Sequence, residues 1–339
     1  MNKALVISGI AALAFLVAFL LWWQLDQRGK LGLLGWLYSS NIIGIKNEDQ
    51  SASRRTASLT GLTCDNYAKR PIAVMMASDP IARPLSGIGQ ADIVVEMPVT
   101  PNGMTRMMAI FQCEEPEEIG SIRSAREDFL PLAAGFGAIY AHWGGEAEAL
   151  KKLNSEILDN IDAIKYEGSV FYRKSSVPKP HNGFTTLGLL IDKAEDLGYD
   201  MSSTFSEYLR EEEPERNLTN MVGAVSVDYE DSYKVEWTYD GDSNAYTRVR
   251  GEEAEIDKNT GKQVETNIII LMHTVSEILN MDYITVNITG EGGAEFYQNG
   301  TMVSGIWKNI ANNLKFYDVN GQEMKFVPGK MWIEIVTDN

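Results

Sequence analysis

Residues 137–153 read GAIYAHWGGEAEALKKL. A short apolar run ends in His142 and Trp143, passes through Gly144 and Gly145, and opens into a segment with helical spacing. A strand that feeds a glycine turn and then an amphipathic helix is the unit from which layered α/β folds are built. The turn also has a chemical reading. The first N–H groups of a helix lack partners within it, and the helix dipole puts partial positive charge there, so Gly144 and Gly145 are candidates for an anion cradle. His142, at the end of the strand, is placed to donate to the same anion or to shuttle a proton. The competing reading is a sharp turn around an internally satisfied histidine.

Working outward, the pattern repeats. PIAVMMA (71–77), ADIVVEMPV (91–99) and MTRMMAIFQC (104–113) read as buried strands. The last two are joined by TPNG, which carries tight-turn residues, so they form a hairpin. RSAREDFLPLAAGF (123–136) reads as a helix that Pro131 must kink or start late. Residues 146–160 read as an amphipathic helix with Ala149, Leu150, Leu153 and Ile157 on one face, and 184–200 hold another with a threonine cap and Gly198 near its end. REEEPERNLTN (210–220) is charged and contains Pro214, the marks of a boundary. Beyond it come short alternating runs such as KVEWTYD, AYTRVRG and MWIEIVTD, punctuated by YQNG and DVNG turns, which predict mainly antiparallel β structure.

The chain has 339 residues, 44% of them hydrophobic, enough for two domains and a full core. Its net charge of −17 argues against binding nucleic acid or anionic lipid through the overall field, so any anion site must be local. Residues 4–23, ALVISGIAALAFLVAFLLWW, carry no charge and as a helix span about 30 Å, the thickness of a bilayer core. Trp22 and Trp23 fit an interfacial belt, and no small-x-small cleavage site follows. The expectation is an uncleaved single-pass anchor. Charge flanking it is nearly balanced, with Lys3 and the amino terminus before and Arg28 and Lys30, beside Asp26, after, so orientation is not set by charge. Cys64 and Cys113 pair in an oxidising compartment or remain as buried thiols; no cysteine follows the anchor as a lipid-attachment site.

Local cations are the next signal. Arg123 and Arg126, spaced three apart, would share a helix face and present two guanidinium forks to a carboxylate, phosphate or sulfate. Arg106 begins an otherwise apolar strand, and a charge so placed is either paired or at a site. YRKSSVPKPHNGFTT presents Lys179, His181 and Asn182 ahead of a helix on a proline-stiffened loop. Together with His142, Gly144 and Gly145 these residues make a candidate cationic pocket at strand and helix ends, where α/β folds place ligands. Trp307 and Lys308, in SGIWK, add a stacking surface and a cation from the second half.

Several separated motifs, in order, resemble the YerB-type family of bacterial lipoprotein-like proteins. They are the run from GLTCDNYAKRPIAVMMASDP to TRMMAIF, then IGSIRSARED, HWGGEAEA and KPHNGFTT, then YTRVRG, IDKNTGKQVETNIII, SGIWK and VPGKMWIEIV. The likeness runs from about residue 59 to the end. It implies a two-domain extracytoplasmic protein tied to the membrane and brings no known activity. Members are anchored through a lipidated cysteine; here an apolar helix takes that place, and Cys64 lies too far downstream. The turn before Thr105 and Arg106 lacks the family's acidic residue, and GEEAEID has Ala254 where a histidine is common.

The expected architecture is therefore an N-terminal transmembrane helix (1–30), a juxtamembrane linker (31–58), an α/β domain on a mixed sheet (59–215) and a mainly antiparallel β domain (216–339). The leading expectation for function is a plasma-membrane protein with an extracytoplasmic bulk that holds an anionic envelope ligand, such as a glycan, a peptide or a phosphate-bearing polymer. A hydrolase would use His142 or His181 as base with Asp92 or Glu96. A scaffold would use the β domain alone. No G-x-S-x-G or H-E-x-x-H is present, and no metal or cofactor is expected.

Overall fold

The computed structural model describes residues 55–211 and 221–338, all within one compact unit. The expected anchor at 4–23 and nearly all of the linker lie outside the described residues. Among the described residues no helix is long and apolar enough to cross a membrane. The first half holds β1 (Ile72–Ala77), β2 (Ile93–Pro98), β3 (Thr105–Phe111), β4 (Ile119–Gly120), β5 (Ile139–His142), β6 (Asn160–Asp162), β7 (Tyr172–Arg173) and β8 (Gly183–Thr185). Its helices are α1 (Leu130–Gly135), α2 (Ala147–Asn154), α3 (Ala163–Tyr166) and α4 (Leu187–Asp196). The second half adds β9 (Ala224–Val227), β10 (Val235–Asp240), β11 (Ala245–Arg250), β12 (Glu253–Ala254), β13 (Glu265–Thr266) and β14 (Ile268–Ile278). It ends with β15 (Ile284–Val286), β16 (Gly290–Gln298), β17 (Thr301–Ile310), β18 (Asn313–Asp318) and β19 (Met331–Asp338).

The large sheet is mixed and runs β18-β17-β16-β14-β19-β2-β3-β1-β5-β6, with β15 paired to β14. The TPNG hairpin forms as expected: β2 and β3 pair antiparallel, and Gly103 takes a φ of 74° that a side chain would resist. β5 and β6 add in parallel beside β1, and β19 lies parallel to both β14 and β2. Strands β1, β2 and β3 are buried along their whole length, because both faces of the sheet are covered. Met75, Val95 and Met108 pack on one side with α1, α2 and the β16–β18 strands. Val74, Val94 and Met107 pack on the other with α4 and a five-stranded sheet, β12-β11-β10-β9 with β13 on β11. That second sheet alternates as a half-buried sheet must: Val235, Trp237 and Tyr239 face in, Glu236, Thr238 and Asp240 face out.

Two helices differ from expectation. Arg123 and Arg126 do not share a helix face. The chain is extended there, with Arg126 at φ −126° and ψ 142°, and the helix starts late, with Pro131 in the first turn of α1. The 146–160 helix stops at Asn154, and Glu156 turns left-handed at φ 59°. Ile157 consequently leaves the buried face and is 55% exposed.

Candidate functional site

The carboxyl end of β1 runs into Ser78 and Asp79, and Asp79 becomes the centre of a cationic cluster. Arg106 Nη1, from the neighbouring β3, donates to Asp79 Oδ2 at 2.9 Å. His181 Nδ1 stands 3.7 Å from the same oxygen. Arg123 Nη1 reaches the Pro180 carbonyl at 3.3 Å. Arg126 Nη1 donates to the Ala125 carbonyl, its guanidinium lies 4.9 Å from the Tyr283 ring centre, and its Nε is 3.9 Å from Glu146. Within this cluster four buried nitrogens have no hydrogen-bond partner among the described residues: Nε of Arg106, Arg123 and Arg126, and Nδ1 of His181.

The cations feel one another. Burial pulls Arg106 down to about 10, Asp79 opposes this, and the charges of Arg123 and Arg126 add to it. Burial lowers Arg123 too, with Asp79 opposing and Arg126 assisting. His181 is lowered by burial, raised by Asp79 and lowered again by Arg123 and Arg106. Tyr233 closes the cluster from the second half of the chain; burial and then Asp79 raise its phenol, against Arg106, Arg83 and Arg250.

The HWGG turn builds this site without entering it. Arg123 N donates to Met75 O and Arg123 O accepts from Trp143 N, while Ala125 N donates to Gly144 O. The arginine-bearing segment is thus stitched between β1 and the turn. The anion cradle expected at the turn is occupied by the chain itself: Gly144 N–H donates to Asp162 Oδ1 at 3.0 Å, Glu146 N–H donates to Ala125 O, and Gly145 packs on Ala125. His142 takes the bland reading. It is buried, with Nδ1 2.7 Å from Gly144 O and Nε2 3.3 Å from Asn160, and burial lowers its pKa. Asn182 also acts in support. Its Oδ1 accepts from Arg173, whose guanidinium lies 4.2 Å from the Trp143 ring centre, and Trp143 packs against Gly183 so closely that a Cβ there would meet it at 2.4 Å.

The other residues singled out by sequence lie apart from the cluster. Lys179 is exposed on its loop. Trp307 is 1% exposed, in the core, with Nε1 donating to His273 O, so it offers no face to a sugar. Lys308 pairs with Glu291 at 2.9 Å. Asp92 Oδ2 accepts from the backbone of Gln112 and Cys113, and burial pushes its pKa up to about 6. Neither Asp92 nor Glu96 has a histidine among its partners. Cys64 and Cys113 are joined in a disulfide, with Cα atoms 5.7 Å apart. Among the described residues no three His, Cys, Asp or Glu side chains gather to hold a metal ion.

Two groups of functional interest are not singled out by the sequence reading. Asp79 and Tyr233 are one. The other is a knot of buried charges between the two sheets, of which the sequence reading names Glu96 alone. Glu96 and Glu334 are register neighbours on β2 and β19. Arg248 Nη2 bonds both, at 2.7 and 2.9 Å, and Arg250 forks onto Glu96. Glu255 Oε2 accepts from Arg248 and Arg250, and Trp237 Nε1 donates to Glu334. The signal is present in AYTRVRG, where both arginines fall on the inward phase shared with Tyr246.

Comparison with known proteins agrees with this two-part chain. Residues 59–200 match the N-terminal domain of a family described as protein of unknown function (DUF3048), and residues 225–333 match its C-terminal domain. The chain is 33% identical over 295 residues to "Putative lipoprotein YerB" of Bacillus subtilis (strain 168), covering 85% of this chain and 88% of that one. The crystal structure of the B. subtilis YerB protein superposes with a TM-score of 0.77, over 84% of this chain and 97% of that one.

Proposed function

This chain belongs to the two-domain DUF3048 family, and from that premise and the arginine cluster we propose that it is a membrane-associated, extracytoplasmic protein that binds an anionic cell-envelope ligand through Arg106, Arg123, Arg126 and His181. The family relative named as a lipoprotein supports the location; residues 4–23 take the role of anchor. A glycan acid, a peptide carboxylate or a phosphate-bearing polymer fits the chemistry.

One observation carries the reading. The Arg106 and Arg123 guanidinium groups and the His181 imidazole share a single carboxylate, Asp79, the charge of Arg126 acts on both of those arginines, and four buried nitrogens of these residues are unpartnered. Asp79 neutralises one cation and Glu146 stands near another, which leaves positive charge in excess inside a chain of net charge −17. Unspent guanidinium donors are costly when buried and are relieved by an anion.

The test is binding of inorganic phosphate and of poly(glycerol phosphate) to the full chain by calorimetry. A charged hydrogen bond contributes about 1.5–3 kcal/mol, so Arg123→Gln is expected to weaken binding by about tenfold or more. Added salt weakens it further. Wild-type affinity in Arg123→Gln, or affinity that ignores salt, overturns the proposal.

A further inference from the structure

The β14–β15 hairpin outruns its neighbours. The parallel pairing of β14 with β19 ends at Val275 and Asp338, so among the described residues Ser276, Glu277 and Ile278 are paired on one side only, by β15. The projecting part is firmly built. Asn280 Oδ1 accepts from the N–H groups of Asp282 and Tyr283 at 2.8 and 3.0 Å, which closes the turn. Asp128 Oδ2 accepts from Val286 N–H at 2.8 Å, and the Tyr283 ring lies against Arg126. Yet Val275, Ile278, Leu279 and Met281 are all more than half exposed, Met281 to 95%. Apolar side chains gathered on an ordered ridge mark a docking surface. Strand alternation sends Val275 and Glu277 to one flank and Ser276 and Ile278 to the other. On the second flank lies a hollow of about 360 Å³, lined by Pro98, Ile278, Ile284 and Val336 and by the acids Asp228 and Glu230. The stem of Glu230 is held there, packed on Gly103 so closely that a Cβ at 103 would meet it at 2.1 Å.

Charge around the ridge has one sign. The carboxylates of Glu230, Glu277 and Asp282 have no hydrogen-bond or ion-pair partner among the described residues. Lys234 is already shared, 3.7 Å from Asp228 and 3.8 Å from Glu236. We infer that the ridge and its hollow dock an extended cationic segment of a partner protein, its aliphatic side chains packing on Ile278 and Ile284 and its lysines or arginines meeting Asp228 and Glu230. The one-sided strand edge suits such a segment, which adds beside residues 276–278 through main-chain hydrogen bonds while alternate side chains enter the hollow. A second copy docking here about a two-fold axis would set carboxylates against carboxylates. An anionic bilayer surface repels them as well. A segment both cationic and apolar satisfies both features, and the inference does not rest on what the arginine cluster binds.

Fluorescence anisotropy tests this, with the full chain in phosphatidylcholine nanodiscs, empty discs as the blank, and a labelled, capped peptide of alternating leucine and lysine as the probe. The probe is expected to bind saturably, and its leucine–glutamate and serine–lysine counterparts about tenfold more weakly or worse. Ile278→Ser and Glu230→Lys, both at exposed positions, are each expected to weaken the leucine–lysine peptide about tenfold. Glu253→Lys, the same charge change on β12, leaves it unchanged. Equal losses in Glu230→Lys and Glu253→Lys would mean that the peptide reads only the net charge of −17. That result, undiminished binding to Ile278→Ser, or no saturable binding at millimolar concentration overturns the inference. So does a dimer in detergent that Ile278→Ser dissociates on sedimentation, which assigns the ridge to a second copy. Quenching of a Met281→Trp reporter by brominated lipid, beyond that of the wild type, overturns it too and assigns the ridge to the bilayer.

Discussion

Asp79 is the residue on which the cationic cluster depends. It is 7% exposed, pairs with Arg106, and is the charge that raises His181 against burial and two arginines. Asp79→Asn leaves the Arg106 guanidinium buried and uncompensated, at a cost of about 3–5 kcal/mol in denaturant unfolding. The same change is expected to lower the His181 pKa further, while Arg123→Gln raises it, both read from the imidazole resonances of a pH titration. A depressed histidine contributes stability that is whole above its unfolded value near pH 6.5 and is lost as pH falls toward the folded one. The Asp79→Asn variant should extend that loss to lower pH. An unmoved His181 titration would separate it from Asp79 and dissolve the cluster. The cations were legible in sequence because a charge beside an apolar run must be paired or used, as at Arg106. Asp79 was not, since it is one acid among 47 and nothing marks it until the fold sets Arg106 against it and brings Arg123 and His181 within its field. His142 and Trp307 misled for the reverse reason: a strand end or a glycine-flanked tryptophan tells where a residue sits, and not which way it faces.

Strands β1, β2 and β3 were readable because both faces of their sheet are covered, so each appears as a mostly apolar run, broken only by Glu96 in β2 and by Thr105 and Arg106 at the start of β3. The YQNG turn was readable because Asn299 and Gly300 adopt φ of 54° and 70°, a conformation those residue types favour. The arginine segment was not. Its spacing is compatible with a helix, yet the hydrogen bonds that hold it extended come from Met75, Trp143 and Gly144, which are distant in sequence. The disulfide belongs to this scale as well. It ties the segment before β1 to the end of β3 across 49 residues, and the sequence left it open because pairing depends on proximity that spacing alone does not give. The chain-entropy argument assigns such a loop about 4 kcal/mol. Unfolding in urea of the Cys64→Ser, Cys113→Ser double variant is expected to show a loss of that order, matched by reductant on the wild type. A loss under about 1 kcal/mol would mean that the unfolded chain is held compact by other means.

The two sheets meet across charge as well as across hydrocarbon. Glu96, Glu255 and Glu334 share Arg248 and Arg250 in a buried interface, so negative charge exceeds positive by one. The excess settles unequally. Burial and the neighbouring Glu96 charge raise the Glu334 carboxyl, with Arg248 and Arg250 opposing. Burial also works against Glu96 and Glu255, but the two arginines outweigh it and lower both. Each direction fixes a sign. Glu96 and Glu255 contribute stability that is present above the ordinary glutamate range and lost as pH falls below it. Glu334 contributes stability that is present at low pH and lost as pH rises through its folded value, and Asp92 and Asp128, each raised by burial to about 6, behave the same way. Glu334→Gln keeps an acceptor for Trp237 and Arg248 and removes the proton. Between pH 5 and 8 the wild type should therefore lose stability relative to this variant, by at most about 1.4 kcal/mol per pH unit, the limit for a single proton. Denaturant midpoints of the two proteins measured in parallel give the difference directly, and effects of the histidines and of Asp92 and Asp128 cancel in it. A difference that stays flat across this range, or that runs the other way, would place the excess charge elsewhere than on β19. The interface between the sheets would then be a fixed set of ion pairs and not a proton-bearing one.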